Sequence, residues 1–200
     1  MVPVAILLML AARWPEGAAP PRLDEFDAEV QRRFSDGRGF GMSRLLRFPT
    51  LGRHFRAPAG ARTDFAPENE REREIIARWT RDGWQAGLYV FGAGIRDSGV
   101  EAHFHRALKG PGVLVEGTAR EELPRWEEMY PVALRAMEAF ERGRDSREET
   151  IGGWRVVARA VRASNGQCVE CHNRGLARIE RGRQFQAGDA LGGALYLYRR

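Results

Sequence analysis

Only two cysteines and four histidines occur in these 200 residues, and Lys109 is the only lysine. Two cysteines cannot build a disulfide-dense scaffold. A chain of this length buries enough surface to hold a core without one. No apolar run reaches the ~20 residues that a membrane helix needs. No internal repeat is visible, and no Ser-His-Asp order. The turn-rich GAGIRDSG at 92–99 lacks the spacing of a phosphate-cradling loop. The acids fall in i,i+2 and i,i+4 patterns that belong to solvated helix faces. No catalytic constellation emerges, so an enzyme is not expected. The near-absence of lysine also qualifies the net charge of +5, because 31 of the 32 basic residues are arginine. They alternate with acids, as in ENEREREIIAR at 68–78, rather than forming the massed stripe that a polyanion requires. Nucleic acid is not an expected partner.

What is present reads as globular, with 43% apolar and 30% charged residues. The amino terminus, VPVAILLMLAA at 2–12, is about half a membrane span. Its length suits a secretory signal core, with small residues at Ala12 and at Ala18–Ala19 for cleavage, although a positive leading segment is missing. The rival is a buried edge element. Residues 1–19 are therefore read as a signal peptide or short apolar segment, and 23–200 as a single domain. Membrane association is expected only through that amino-terminal segment.

Along the domain, Leu23, Phe26, Val30 and Phe34 predict a helix with one apolar stripe. Residues 37–65 predict a long loop, with a short helix at MSRLLRF. A helix is expected from Pro67 to Asp82, stopped by Gly83, with only Ile75, Ile76 and Trp79 able to pack. Strands are expected at 86–92 and 112–117. A strong helix spans 119–142, kinked at Pro131. In WRVVARAVR at 154–162, Trp154, Val156, Ala158 and Ala160 alternate to one strand face, and Arg155, Val157, Arg159 and Val161 to the other. The last strand, within GDALGGALYLYRR, sets Leu195 and Leu197 against Tyr196 and Tyr198. The expected class is α+β, an antiparallel sheet with packed helices.

Both cysteines stand in NGQCVECHNRG at 165–175, where Cys168 and Cys171 are three apart and His172 follows at once. Two thiols at this spacing can add to the two vinyl groups of one haem. The next residue then supplies an axial nitrogen, so the run reads as c-type haem attachment. Three other readings remain open. A dithiol of the thioredoxin kind lacks its βαβ context here. A zinc site needs four ligands, and with no second CxxC it would have to borrow His103 or His105. The third is a pair of buried cysteines without chemistry.

The tail WRVVARAVRASNGQCVECHNRG, with AGDALGGALYLYRR, resembles the carboxy-terminal part of bacterial haem c domains with a PAS-like fold. These occur as lone periplasmic proteins or as sensor inputs. Residues 154–172 and 188–198 carry the likeness, roughly a sixth of the chain. The resemblance implies one covalent haem c between a short antiparallel sheet and helices, with His172 as proximal ligand. In relatives the sixth ligand can be an upstream cysteine, and this chain has no third cysteine. His, Met, water or an empty position then remains. His54, His103 and His105 are the distal candidates, ahead of Met42 in its loop and of Met129 and Met137 on the strong helix stripe.

Arg155, Arg159 and Arg162 are candidates for meeting the haem propionates, and Trp154, Tyr196 and Tyr198 for walling the pocket. The resulting expectation is a periplasmic monohaem c-type cytochrome that passes single electrons to a redox partner protein. The alternatives are a haem-based redox or gas sensor acting on a separate partner, and a zinc or dithiol module without haem. The sequence ends at Arg200, just past the last strand, which favours a carrier or accessory subunit over a self-contained sensor. Oligomeric state is not legible.

Overall fold

The computed structural model describes residues 18–35, 46–47, 63–96, 108–174 and 184–200. Within these, seven strands form one sheet: β1 (Leu46–Arg47), β2 (Thr63–Phe65), β3 (Gln85–Gly92), β4 (Leu108–Val113), β5 (Ser146–Ile151), β6 (Trp154–Arg162) and β7 (Ala190–Arg199). Four α-helices accompany them: α1 (Leu23–Ser35), α2 (Glu70–Arg81), α3 (Trp126–Glu141) and α4 (Gly166–Arg174). The strand order is β1-β2-β4-β3-β7-β6-β5. The five strands from β4 to β5 pair antiparallel throughout, while β2 joins β4 in parallel. The α+β class is as expected, with a five-stranded antiparallel core.

Alternation in β6 and β7 divides the interior into two apolar clusters, one on each face of the sheet. Trp154, Val156, Ala158, Leu195 and Leu197 pack with Met129, Met137 and Phe140 of α3. Val157, Tyr196 and Tyr198 pack with Phe26 and Val30 of α1 and with Ile75 and Trp79 of α2. The sheet thus carries α3 on one face and α1 with α2 on the other. The register Val157↔Tyr196 and Ala158↔Leu195 keeps each side chain opposite its own kind.

Four expectations need correction. Leu46–Arg47 is a strand paired with β2, not part of a short helix at MSRLLRF. The strand expected at 112–117 lies earlier, at Leu108–Val113. There Gly110 holds φ +140°, and a Cβ would come within 2.5 Å of the Tyr89 ring. The helix expected from Pro67 starts instead after Asn69, whose side chain accepts the Glu72 N–H. The helix expected over 119–142 is divided. Pro124 holds Leu123 extended (ψ 137°), so only a 3₁₀ turn at Arg120–Glu122 precedes α3, which then runs through Pro131 to Glu141.

β5 has no counterpart in the sequence reading. Its signal is the pair Gly152–Gly153, both at positive φ, which joins Ile151 to Trp154 as a two-residue hairpin. Glu72 also departs from expectation. It is fully buried, held by Arg33 of α1, whose Nε donates to Glu72 Oε1 at 2.9 Å. The Arg33 guanidinium also donates to the Ala66 carbonyl and lies 4.7 Å from the Phe65 ring centroid.

Candidate functional site

The Cys-x-x-Cys-His run does not lie in a loop but on α4, which begins just past the end of β6. The helix starts where it does because Asn165 Oδ1 accepts the Cys168 N–H at 3.1 Å, satisfying a donor that would have no partner within the helix. At about 100° per residue, Cys171 and His172 return close to the bearing of Cys168. All three therefore share one side of α4. Cys168 is half-buried against the α3-side cluster, Cys171 is exposed, and both thiols are free. Ser164 Oγ lies 3.7 Å from Cys168 Sγ.

His172 packs edge-on against Phe185, with ring centroids 5.5 Å apart and planes at 78°. Its Nδ1 is shielded from solvent. Phe185 is held there by Asn173, whose amide donates to the Phe185 carbonyl at 3.0 Å and accepts its N–H at 2.8 Å. The turn beyond is tied to the end of β6, as the Gly188 N–H donates to the Ala163 carbonyl and the Ala163 N–H to the Asp189 carbonyl. The motif helix and the approach to β7 are thus fastened to each other and to the sheet.

A hollow of about 330 Å³ is lined in part by Phe185. Phe140 and Phe185 supply its aromatic surface, Gly143 part of its rim, and Glu141, Arg162 and Asp189 its charges. Gly193 permits this packing. A Cβ there would come within 2.8 Å of both the Phe91 and Phe140 rings, which instead stack at 6.2 Å.

Of the three arginines singled out beside the motif, only Arg162 faces this region. Arg155 pairs with Glu148 at 2.9 Å, and Arg159 reaches across to Asp24 of α1 at 2.5 Å, on the opposite face of the sheet. Tyr196 and Tyr198 also belong to that face. Tyr196 donates to Asp27 at 2.7 Å, and Tyr198 packs edge-on to Trp84, so neither walls the motif's surroundings. Burial raises the Asp27 carboxyl above its ordinary value and pushes the Tyr196 hydroxyl well up. Trp154 does lie in the α3-side cluster, with its indole N–H on the Glu122 carbonyl. Met129 and Met137 are fully buried there as core filler.

His54, His103, His105 and Met42 lie outside the described residues, as does the amino-terminal segment up to residue 17. Among the described residues, no three His, Cys, Asp or Glu side chains gather closely enough to hold a metal ion. None of the described helices is long and apolar enough to cross a membrane. Phe185 and Asn173 are the site residues that the sequence reading passed over. Asn165 had a legible signal, a capping residue just ahead of the motif, whereas the contact between Phe185 and His172 had none. No protein-family model, curated protein or solved structure matches the chain. The resemblance to haem c domains therefore rests on the motif and its flanks.

Proposed function

We propose that this chain is a periplasmic monohaem c-type cytochrome. In this reading Cys168 and Cys171 hold the haem by thioethers, His172 is the proximal ligand, and single electrons pass to a partner protein. The observation that carries the reading is the placement of two free thiols and an imidazole along one side of a helix at the protein surface. Zinc asks for four donors converging at about 2.0–2.3 Å on one point. α4 supplies only three donors, and the histidines a zinc site would borrow, His103 and His105, lie outside the described residues. Haem attachment asks for something else: thiols spread toward the rim of a wide macrocycle and one nitrogen toward its centre. The donor set fits the second demand better than the first. In this reading the imidazole of His172, with its Nδ1 buried, would give iron its other ring nitrogen, Nε2.

The antiparallel five-stranded core with helices packed on it agrees with a PAS-like domain. When bound, the haem supplies the ferric/ferrous couple. The chain's own part is to fix the imidazole through Phe185 and Asn173 and to set the charge and dryness around the ring. A reduced-minus-oxidised absorption spectrum of protein from a host that matures c-type cytochromes, repeated under carbon monoxide, tests the assignment. Sharp low-spin bands indifferent to the gas are expected of an electron carrier. A large shift under carbon monoxide would replace the carrier with a gas sensor.

A further inference from the structure

We propose that the outer edge of β5 is a homodimer interface, at which the strand pairs antiparallel with β5 of a second copy about a twofold axis at Glu148. The inference uses none of the motif residues and stands whether or not haem is bound.

β5 ends the sheet, so among the described residues only β6 pairs with it. Its phase is fixed at both ends. The Ala160 N–H donates to the Asp145 carbonyl at 3.0 Å, and Ile151 faces Trp154 across the two-residue turn. Residues that bond to one neighbour alternate along an antiparallel strand. Asp145, Arg147, Glu149 and Ile151 therefore bond to β6, while Ser146, Glu148 and Thr150 turn their N–H and carbonyl groups outward. Such an edge is a template for another strand. Glu148 and Thr150 are exposed. Access is open at both ends, since a Cβ built at Gly143, Gly152 or Gly153 would meet nothing within 4 Å.

The order of charges along the strand picks the occupant. Charge on an edge usually keeps strands apart, and most registers of β5 on itself would do so. Two copies can meet only with outward residues facing outward residues, which puts the axis on a single residue. An axis at Arg147 or Glu149 opposes like charges there, and an axis at Ser146 or Thr150 runs half the strand past its partner's end. An axis at Glu148 sets Arg147 of each copy against Glu149 of the other. These are the positions without direct hydrogen bonds, where side chains come closest. Ser146 then faces Thr150, and the outward groups exchange about six hydrogen bonds. Within one chain Arg147 and Glu149 lie 3.4 Å apart, and Arg135 of α3 holds Glu149 at 2.6 Å on the same face. The dimer thus joins two pairs into a ring of alternating sign. The one like pair is Glu148 on the axis, and each copy already supplies its cation, Arg155 at 2.9 Å. A twofold interface requires a self-complementary patch of this kind.

The test is sedimentation equilibrium of the purified protein over a concentration series, in wild type, Thr150→Pro, Arg147→Glu and Glu149→Arg. Wild type is expected to reach twice the chain mass. Thr150→Pro removes an outward N–H and no bond to β6, and should weaken the dimer roughly tenfold or more. Arg147→Glu and Glu149→Arg each set like charges opposite one another, so each alone should lose the dimer. An equal mixture of these two should restore it, because one copy then carries only acids at the two positions and the other only arginines. A purely structural role for these side chains cannot produce that recovery. Should Thr150→Pro fail to fold, the mixture decides. A dimer that all three variants leave intact belongs to another surface and overturns the proposal. A wild type at one chain mass throughout the series overturns it too, and leaves the edge to a strand of a different protein.

Discussion

In the proposed haem reading, Cys168, Cys171 and His172 divide their work unequally, and substitution separates the parts. In the double variant Cys168→Ala/Cys171→Ala, a denaturing gel should lose all haem stain, because no thioether can form. His172→Ala should keep the stain on the gel and lose the low-spin spectrum, because attachment survives while the axial nitrogen does not. Equal loss in both would argue against separate roles. On the far side of the sheet, burial raises the pKa of Asp27, so the folded state holds that proton more tightly than the unfolded chain. Stability from this residue is then greatest below the ordinary aspartate value of 3.8 and falls as pH rises through the folded value. Asp27→Asn, which keeps an acceptor for Tyr196, should remove that decline in a pH series of denaturation midpoints. At this scale the motif itself was legible, because its chemistry is local. The pairing of Arg159 with Asp24 was not, because the partners are 135 positions apart.

Elements with a strong internal period were the easiest to foresee. The stripe Leu23, Phe26, Val30 gave α1, and the alternation in 154–162 gave β6 at its observed bounds. α4 escaped notice because nine residues dominated by CVECH carry little periodicity, and its start is set by one capping side chain, Asn165. Replacing Asn165 with alanine should cost about 0.5–2 kcal/mol, the usual loss of a cap. The cost should appear as a lower denaturation midpoint and a reduced yield of haem-loaded protein. β7 owes its fit to Gly193, where any larger residue meets the Phe91 and Phe140 rings. Gly193→Val should destabilise by roughly 1–3 kcal/mol, as overpacking does, and an unchanged melting temperature would contradict the packing described.

For the whole molecule, the two faces of the sheet were readable from β6 and β7, but what joins the helices on one of them was not. α1 and α2 are locked by Arg33 and Glu72, both buried. A charge inside ENEREREIIAR looks like every other charge in that run. Only the tertiary structure singles out Glu72. Breaking the pair with Arg33→Met should cost about 3–5 kcal/mol, while Arg33→Met/Glu72→Leu should recover much of the loss, since burying two apolar groups removes the stranded charge. Chemical denaturation of the two variants makes the comparison.

On the opposite face, the motif on α4 packs against the α3-side cluster and Phe185, and covalent haem is what is proposed for it. The intact mass of the protein produced in a host that matures c-type cytochromes, taken after extraction with acid and organic solvent, tests this most directly. Addition of one haem per chain, lost when Cys168 and Cys171 are both replaced, is the predicted result. A chain at its bare polypeptide mass, from a host that loads other c-type cytochromes, would contradict it.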